Sequence, residues 1–326
     1  MKHISILVLE SAVLAAIDNP RATFAAVNDF RRASGKPPLF EVHLVGLKPE
    51  VRLHGGAFSV HTDSLLHEID KTDLIFIPAL SGDLDEALEP NRAFIPWIVA
   101  QHHQGAEIAS LCIGAFLLAS TGLLSGKQCS THWLFVNEFR RRFPDVTLVG
   151  DRIITDDQRI YTSGGANSYW NLLLHLVEKY TNHETAILLA KYFAIEIDRD
   201  SQSAFMMFNG QKGHEDASIK QAQTFIEENV TARISVDELA DRFAISRRNF
   251  ERRFKKATSN SPVEYIQRVK IEAAKKGLET SRKNVNEVMQ EVGYSDSKAF
   301  RMVFKKITGL SPVEYRNKYN AVQAGH

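Results

Sequence analysis

The sequence has few cysteines, no long apolar run and almost no net charge, and each shortage excludes a class of protein. Two cysteines among 326 residues, Cys112 and Cys129, are too few for a disulfide framework. No run of about 18 apolar residues predicts a membrane span. The histidines and cysteines also lack the spacing of metal ligands. We therefore predict no membrane contact, no metal and no cofactor.

An apolar N-terminal stretch, MKHISILVLESAVLAAIDNP, imitates a signal peptide. Glu10 interrupts this stretch and no convincing cleavage site follows it. We interpret it as a first β-strand and expect a cytoplasmic protein. At about 100 to 200 residues per domain, the chain is long enough for about two domains.

The net charge of +1 conceals an uneven distribution along the chain. From Asp216 onward there are 21 Lys and Arg against 14 Asp and Glu, about +7, so residues 1–215 carry about −6. A polar, glycine-containing segment before Asp216 indicates a linker. We place an N-terminal domain at 1–202, a linker at 203–218 and a C-terminal domain at 219–320. The basic C-terminal charge is typical of proteins that bind nucleic-acid phosphates, although a solvated basic surface gives the same count.

One segment occurs twice in the C-terminal part. FKKATSNSPVEY begins at Phe254, and FKKITGLSPVEY begins 50 residues later at Phe304. Upstream of the first copy, Ser235 and Glu238 have capping-box spacing, which predicts the start of a short helix. After a tight turn, Ser246 is a suitable N-cap for a second helix. Two short helices joined by such a turn indicate a helix-turn-helix unit.

The second copy repeats this plan. Gly293 marks a turn, and Ser295 is expected to cap the helix that follows. Between the two units, Ser261 and Pro262 begin a segment that predicts a long connecting helix. Two recognition helices held roughly 34 Å apart would enter successive major grooves on one face of B-DNA. The repeat thus predicts one chain that reads two half-sites.

The outer faces of the two recognition helices carry the candidate DNA-binding side chains. Arginine can bond to guanine with two hydrogen bonds, a carboxylate can accept one from cytosine, and lysine contacts phosphates. Each charge is also compatible with a merely solvated helix face. The candidates are Arg247, Arg248, Glu251, Arg252 and Lys255 in the first helix, and Ser297, Lys298, Arg301 and Lys305 in the second.

Before the linker, apolar runs that predict strands alternate with stretches that predict helices. The runs are HISILVLE, FEVHLVGL, TDLIFIPAL and AEIASLC. Their alternation predicts a flavodoxin-like α/β domain with a mostly parallel sheet and helices on both faces. Cys112 lies between an apolar strand and an apolar helix, at an elbow where a helix N-terminus favours a thiolate or a bound anion.

The doubled SPVEY and the run VGYSDSKAFRMVFKKITGLSPVEYR resemble the DNA-binding domain of AraC/XylS-type transcriptional regulators, over about the last 105 residues. The resemblance implies an all-α domain with two helix-turn-helix units bound to double-stranded promoter DNA. It implies base contacts by Arg248, Glu251, Arg252, Ser297, Lys298 and Arg301. Glu251 either reads cytosine or pairs with a neighbouring arginine.

The runs LCIGAFLLASTGLLSGK, STHW and YTSGGANSYWNLLLHLVEKY resemble the DJ-1/PfpI branch of the class I glutamine amidotransferase-like superfamily. With the C-terminal match, the chain resembles the GlxA-like subgroup of AraC regulators. Enzymatic relatives have a histidine directly after the elbow cysteine and a carboxylate after the first strand. Here Ile113 and Ala16 stand at those places, so we predict no enzyme, with Cys112 a vestige of a catalytic residue.

The N-terminal domain is expected to bind a small molecule or to mediate dimerisation. The candidate ligand-binding residues are Cys112, Ile113, His132 and Gly164. Each has a structural alternative: a packed thiol for Cys112, a hydrogen-bonded histidine for His132, and a turn into the next helix for Gly164. His102 and His103 are interpreted as a solvated helix end. The resemblance implies a small nitrogen-containing metabolite as the ligand.

These patterns predict a sequence-specific DNA-binding transcriptional regulator under the control of a metabolite. For such a regulator we expect a homodimer and contact with RNA polymerase. Two other hypotheses stay open at this point. One is a cysteine-dependent hydrolase or glyoxalase-like enzyme tethered to a DNA-binding domain, and the other is an architectural DNA binder whose N-terminal domain only dimerises.

Overall fold

The computed structural model describes residues 1–196, 201–208 and 210–320. The chain divides into two compact units, Met1–Gln202 and Ser203–His326, and each has its own hydrophobic core. Within the described ranges, no helix combines the length and the apolar character needed to cross a membrane.

The N-terminal unit is built on a seven-stranded sheet. Its strands and those of two smaller sheets are β1 (Lys2–Leu7), β2 (Phe40–Gly46), β3 (Glu50–Leu53), β4 (Phe58–His61), β5 (Ser64–Leu65), β6 (Leu74–Ile77), β7 (Glu107–Ser110), β8 (Gln128–Cys129), β9 (Thr147–Leu148), β10 (Ile154–Asp157) and β11 (Ile160–Ser163). The order in the main sheet is β5-β2-β1-β6-β7-β11-β10, and only the edge strand β10 runs antiparallel. β3 and β4 form an antiparallel hairpin, and β8 and β9 form a short parallel pair.

Helices cover both faces of this sheet, as the alternating sequence pattern predicts. They are α1 (Leu14–Ala33), α2 (Leu84–Leu88), α3 (Ile95–His103), α4 (Ala115–Ser120), α5 (Val136–Arg142), α6 (Tyr169–Tyr180) and α7 (His183–Tyr192). All four residues of the central strand β6 are buried, as expected for a parallel strand covered on both sides. The predicted flavodoxin-like fold is confirmed. The strand order reverses at β1, because β2 and β5 lie on one side of it and β6 and β7 lie on the other. This reversal puts a crevice at the carboxyl ends of the strands.

The C-terminal unit is helical. It consists of α8 (Ala217–Glu228), α9 (Val236–Arg242), α10 (Arg247–Thr258), α11 (Pro262–Thr280), α12 (Val285–Glu291), α13 (Ser297–Thr308) and α14 (Pro312–Tyr319). The pairs α9–α10 and α12–α13 are the two predicted helix-turn-helix units, and α11 connects them. Phe250 and Phe254 of α10, like Phe300 and Phe304 of α13, are completely buried. The repeated phenylalanines therefore hold each recognition helix on its own core.

Local capping signals account for most helix starts in this unit. The Ser235 hydroxyl accepts a hydrogen bond from the Glu238 N–H, and the Glu238 carboxylate accepts one from the Ser235 N–H. Ser261 forms the same reciprocal pair at the start of α11. Ser246 occupies the predicted N-cap position of α10, but its side chain accepts no capping hydrogen bond.

Two expectations from the sequence need correction. Asp296, not Ser295, caps α13, because its carboxylate can accept from two N–H groups of the first turn. His102 is buried, and its ring Nδ1 lies 3.0 Å from the Ala106 carbonyl oxygen, whereas His103 is exposed as expected. Within the predicted linker 203–218, the rings of Phe208 and Tyr265 lie 5.0 Å apart.

Candidate DNA-binding surface and ligand pocket

The first recognition helix, α10, presents a charged outer face. Its apolar positions point inward, so Arg248, Arg252 and Lys255 are exposed. Arg252 donates a hydrogen bond to the side-chain oxygen of Asn249 on the preceding turn. This bond leaves the rest of the Arg252 guanidinium available, and Arg248 makes no ion pair with any described side chain.

Arg247 and Glu251 are already engaged with each other. The Arg247 guanidinium lies 2.9 Å from Asp237 on α9 and 3.2 Å from Glu251. Its hydrogen bond to Glu251, together with the charge of Asp237, raises the pKa of Arg247. Of the two roles open to Glu251, the structure shows pairing with a neighbouring arginine. Arg247 braces α9 against α10.

The second recognition helix, α13, has a more open cationic face. A shallow groove of about 710 Å³ runs along it, lined by Ser297, Lys298, Arg301, Met302, Lys305 and Lys306. Within the described chain, the side chains of Lys298, Arg301 and Lys305 form no ion pair or hydrogen bond. Met302, which the sequence analysis did not select, is 63% exposed in the middle of this face. The helix thus combines three available cations with one exposed thioether.

The 50-residue offset of the repeat pairs the positions of the two faces and shows that their chemistry differs. Lys255 and Lys305 match, but Glu251 corresponds to Arg301, and Arg252 corresponds to Met302. The offset itself was the signal that could have identified Met302. The two helices occupy equivalent places in the two repeats but present different hydrogen-bonding groups.

Cys112 occupies the predicted elbow after β7. Its backbone is left-handed, with φ 54°, and its N–H donates to the Ser163 hydroxyl over 3.3 Å. Its carbonyl accepts from the Thr131 hydroxyl at 3.1 Å. The thiol is 4% exposed, and burial raises the pKa of Cys112 to about 12. A thiol held in its protonated form near neutral pH is a weak nucleophile.

The positions at which enzymatic relatives have a histidine and a carboxylate hold Ile113 and Ala16 in this chain. Ala16 is completely buried in α1, and Asp18 is exposed on that helix. Ile113 is partly buried against the core. His132 uses Nδ1 to accept from the Leu134 N–H, and burial lowers its pKa. Of this segment, the residue in contact with Cys112 is therefore Thr131 rather than His132.

A buried glutamine fills the loop that follows β11. The Gln202 amide donates to the carbonyls of Thr131 and Gly150, and its oxygen accepts from the Gly165 N–H. A Cβ placed on Gly164 would lie 2.5 Å from the Gln202 amide nitrogen. A larger residue at position 164 would therefore displace this side chain. No sequence pattern pointed to Gln202, whose partners are far away along the chain.

A separate, half-open cavity of about 510 Å³ lies in the N-terminal unit. It is lined by Arg152, Ile153, Ile154, Asn171, Leu174, His175, Glu178, His183, Ala186 and Ile187. Aliphatic side chains form its floor, while Arg152 and Glu178 bring charges of both signs to its rim. None of the four ligand-binding residues predicted from sequence lines it.

One histidine and carboxylate cluster was also missed in the sequence. His3, Glu41 and His43 place one ligand-type atom each within 4.8 Å of one another. His3 and Glu41 are register partners on β1 and β2, which their separation in sequence conceals. Both imidazoles lie within hydrogen-bond distance of the Glu41 carboxylate, so the three side chains satisfy one another.

Each of the two units contains a region that matches a known protein family or domain. Residues 23–179 match the DJ-1/PfpI family model, and residues 239–318 match a helix-turn-helix domain model. The transcriptional regulator GbdR of Pseudomonas aeruginosa is 26% identical over 226 residues, which are 69% of this chain and 61% of GbdR. CdhR of the same species is 23% identical over 283 residues, covering 85% of this chain and 82% of CdhR.

Among solved structures, a protein of Vibrio parahaemolyticus provisionally assigned as a transcriptional regulator is 25% identical, with a TM-score of 0.52. The match covers 59% of this chain and 98% of that one. The chain therefore combines a region similar to the DJ-1/PfpI family with a helix-turn-helix region. The chain is thus similar, through both of its units, to proteins named as HTH-type transcriptional regulators.

Proposed function

We propose that this protein is a cytoplasmic, homodimeric regulator that binds promoter DNA through α10 and α13 and responds to a small metabolite through its N-terminal domain. The observation that carries the proposal is the pair of exposed, basic recognition helices held within one unit. Among the residues that the structure describes, Lys298, Arg301 and Lys305 of α13 have no ion-pair partner, so binding DNA would break no such pair there. Contact with RNA polymerase follows if the regulator activates transcription.

The metabolite could be held at either of two places in the N-terminal unit. The elbow region, with Cys112, Ile113, His132 and Gly164, is where the sequence resemblance implies a pocket, but Gln202 occupies part of it. The cavity beside α6 and α7 has an aliphatic floor and both Arg152 and Glu178 at its rim. That combination suits a small nitrogen-containing molecule that also bears a carboxylate.

The same geometry argues against the enzyme hypothesis. A catalytic cysteine needs a base within hydrogen-bond reach of its thiol. The hydroxyls of Ser163 and Thr131 bond to the backbone N–H and carbonyl of Cys112 and supply no such base. Burial raises the pKa of Cys112 to about 12, which disfavours the thiolate as well. A measurable turnover by the purified protein that Cys112→Ala abolishes, with the fold intact, would restore the hypothesis of a tethered enzyme.

The function is tested by selecting binding sites for the full-length protein from random double-stranded DNA. We expect a bipartite motif whose half-sites lie about 10 base pairs apart, with affinity that falls steeply as salt rises. Affinity for the selected operator is then measured with and without a panel of amino acids, amines and keto acids. An effect of one compound identifies the sensor function, since a ligand must distinguish two states to change affinity.

Three results would contradict the proposal. Salt-sensitive binding without any selected motif would leave only a non-specific DNA binder. A selected motif whose affinity is the same with every compound would favour the architectural binder in which the N-terminal domain only dimerises. Full-length protein that selects no DNA at low salt would overturn the DNA-binding function itself.

A further inference from the structure

The two helix-turn-helix units stand on two separate hydrophobic cores joined by α11. The N-terminal part of this helix contributes Tyr265, Ile266 and Val269 to the first core. The following part contributes Ile271, Ala274 and Leu278 to the second core. At 19 residues and about 1.5 Å per residue, α11 is roughly 28 Å long. Its bending alone would therefore change the placement of α10 relative to α13.

Lys270 lies on α11 between the two cores, and it is only 7% exposed. Its ammonium donates to the carbonyls of Val230 at 2.6 Å and Ala232 at 2.9 Å, both in the loop before α9. It also donates to the carbonyl of Val292 at 2.8 Å, the C-cap residue of α12. An ammonium group has three N–H donors, and all three are used. The ammonium of Lys270 thus forms hydrogen bonds to both helix-turn-helix units.

Further contacts close the same seam. Arg233, in the loop before α9, donates to the Ser295 hydroxyl at 2.6 Å, in the turn before α13. Gly293 has φ 73°, and a Cβ there would lie 2.3 Å from the carbonyl oxygen of Thr231. The backbone of loop 230–233 therefore touches that of turn 292–295 with no room for a side chain. Such close contact permits little relative movement while the bonds of Lys270 persist.

We propose that Lys270 is a positioning residue that sets the distance and orientation between the two recognition helices, and so the half-site spacing that the protein accepts. This inference rests on the proposed DNA-binding function. Without the ammonium, three carbonyls of the seam lose their common donor, and α11 becomes the main link between the units. One base pair of added spacer shifts a half-site by about 3.4 Å and turns it about the duplex axis, which a rigid pair of readers cannot follow.

The test compares the wild type with Lys270→Met in the full-length chain. Both are titrated against the selected operator and against versions with one base pair added to or removed from the spacer. In the variant, we expect affinity for the best spacer to fall about tenfold and the preference over the other spacers to shrink toward one. Affinity for an isolated half-site should stay unchanged, a result that general damage to the fold would not give.

Lys275→Met is the matched control. Lys275 is another buried lysine of α11, 3% exposed, but it bonds to Glu272 and to the Met206 carbonyl rather than across the seam. This variant should keep the spacer preference of the wild type. Arg233→Ala removes the hydrogen bond from Arg233 to the Ser295 hydroxyl and should weaken the spacer preference as Lys270→Met does, to a smaller extent.

The possible outcomes separate the two proposals. If the wild type selects no bipartite operator, the proposed function fails first. If it does, and Lys270→Met keeps the wild-type spacer preference, only the role of Lys270 is overturned. If Lys270→Met does not fold, Arg233→Ala decides: an unchanged spacer preference overturns the inference, and a weakened one supports it.

Discussion

Met302 and Arg252 occupy the same place in the two repeats, yet one side chain is apolar and the other is charged. Met302 is 63% exposed at the centre of its helix face, so its side chain does not contribute to the core of the protein. The C5-methyl group of thymine is the apolar feature that the major groove offers. We expect Met302 to contact a thymine methyl in the second half-site.

This contact is tested by replacing each thymine of the operator with uracil, which removes only the methyl group. For the wild type, one such position in the second half-site should lower affinity about fourfold, from about 0.8 kcal/mol per buried methyl. Met302→Ala should be insensitive to that replacement. Thymine replacements in the first half-site are the control, because they should affect both proteins equally. Equal sensitivity of the two proteins in the second half-site would refute the contact.

At the residue scale, the sequence identified the charged faces but not the state of each charge. The pattern of Phe250 and Phe254 fixes which residues of α10 point outward, because this depends only on helical periodicity. The ion pair from Arg247 to Asp237 depends on how α9 crosses α10. Gln202 and Lys270 were missed since their partners lie between 22 and 71 residues away in sequence.

At the scale of elements, two N-cap serines, Ser235 and Ser246, can be compared for their effect on stability. The Ser235 side chain takes part in a capping box at the start of α9, while the Ser246 side chain at the start of α10 makes no capping bond. Ser235→Ala should lower the free energy of unfolding of the C-terminal unit by about 1 kcal/mol. Ser246→Ala should cost less than about half of that.

The measurement is urea unfolding of the full-length variants, followed by helical circular dichroism. The transition of the C-terminal unit is compared between the two substitutions at matched conditions. Equal losses for both variants would mean that the Ser235 bond contributes no more than the intrinsic preference of serine for this position.

Element boundaries set by local chemistry were predictable, and those set by distant contacts were not. Capping-box spacing located the start of α9, and a serine followed by proline located the start of α11, because these signals lie within one helical turn. Asp296 and Ser295 are adjacent candidates for the cap of α13, and Arg233 engages the Ser295 hydroxyl. His102 was misread as solvated because its burial depends on how the end of α3 packs on the sheet.

At the scale of the whole molecule, the two units can be followed separately. Trp97, Trp133 and Trp170, the three tryptophans of the chain, all lie in the N-terminal unit. Tryptophan fluorescence therefore reports the unfolding of that unit alone. Separate cores predict that thermal unfolding of the protein has more than one transition.

Acidification should destabilise the N-terminal unit. Burial lowers the pKa of His102 below its ordinary value of 6.5, so the folded state keeps the ring neutral while the unfolded chain takes up a proton. The stability is fully present above pH 6.5 and is lost as the pH falls below it, by at most about 1.4 kcal/mol per pH unit for one group. The tryptophan-monitored transition should move to lower temperature between pH 7 and pH 5.

His102→Gln should reduce this pH dependence, since glutamine can donate to the Ala106 carbonyl without titrating. His103→Gln is the control, because His103 is exposed on the same helix. The same slope in the wild type and in His102→Gln would show that protonation of His102 contributes nothing to acid unfolding.

The difference between the outer faces of α10 and α13 has a consequence for the genome rather than for the protein. A site read by two unlike helices in a fixed order is not a palindrome, so it has a beginning and an end along the duplex. One protein chain then lies on its site in only one direction. Inverting such a site in front of a gene would reverse the bound chain, and the same protein and sequence would give that gene different regulation.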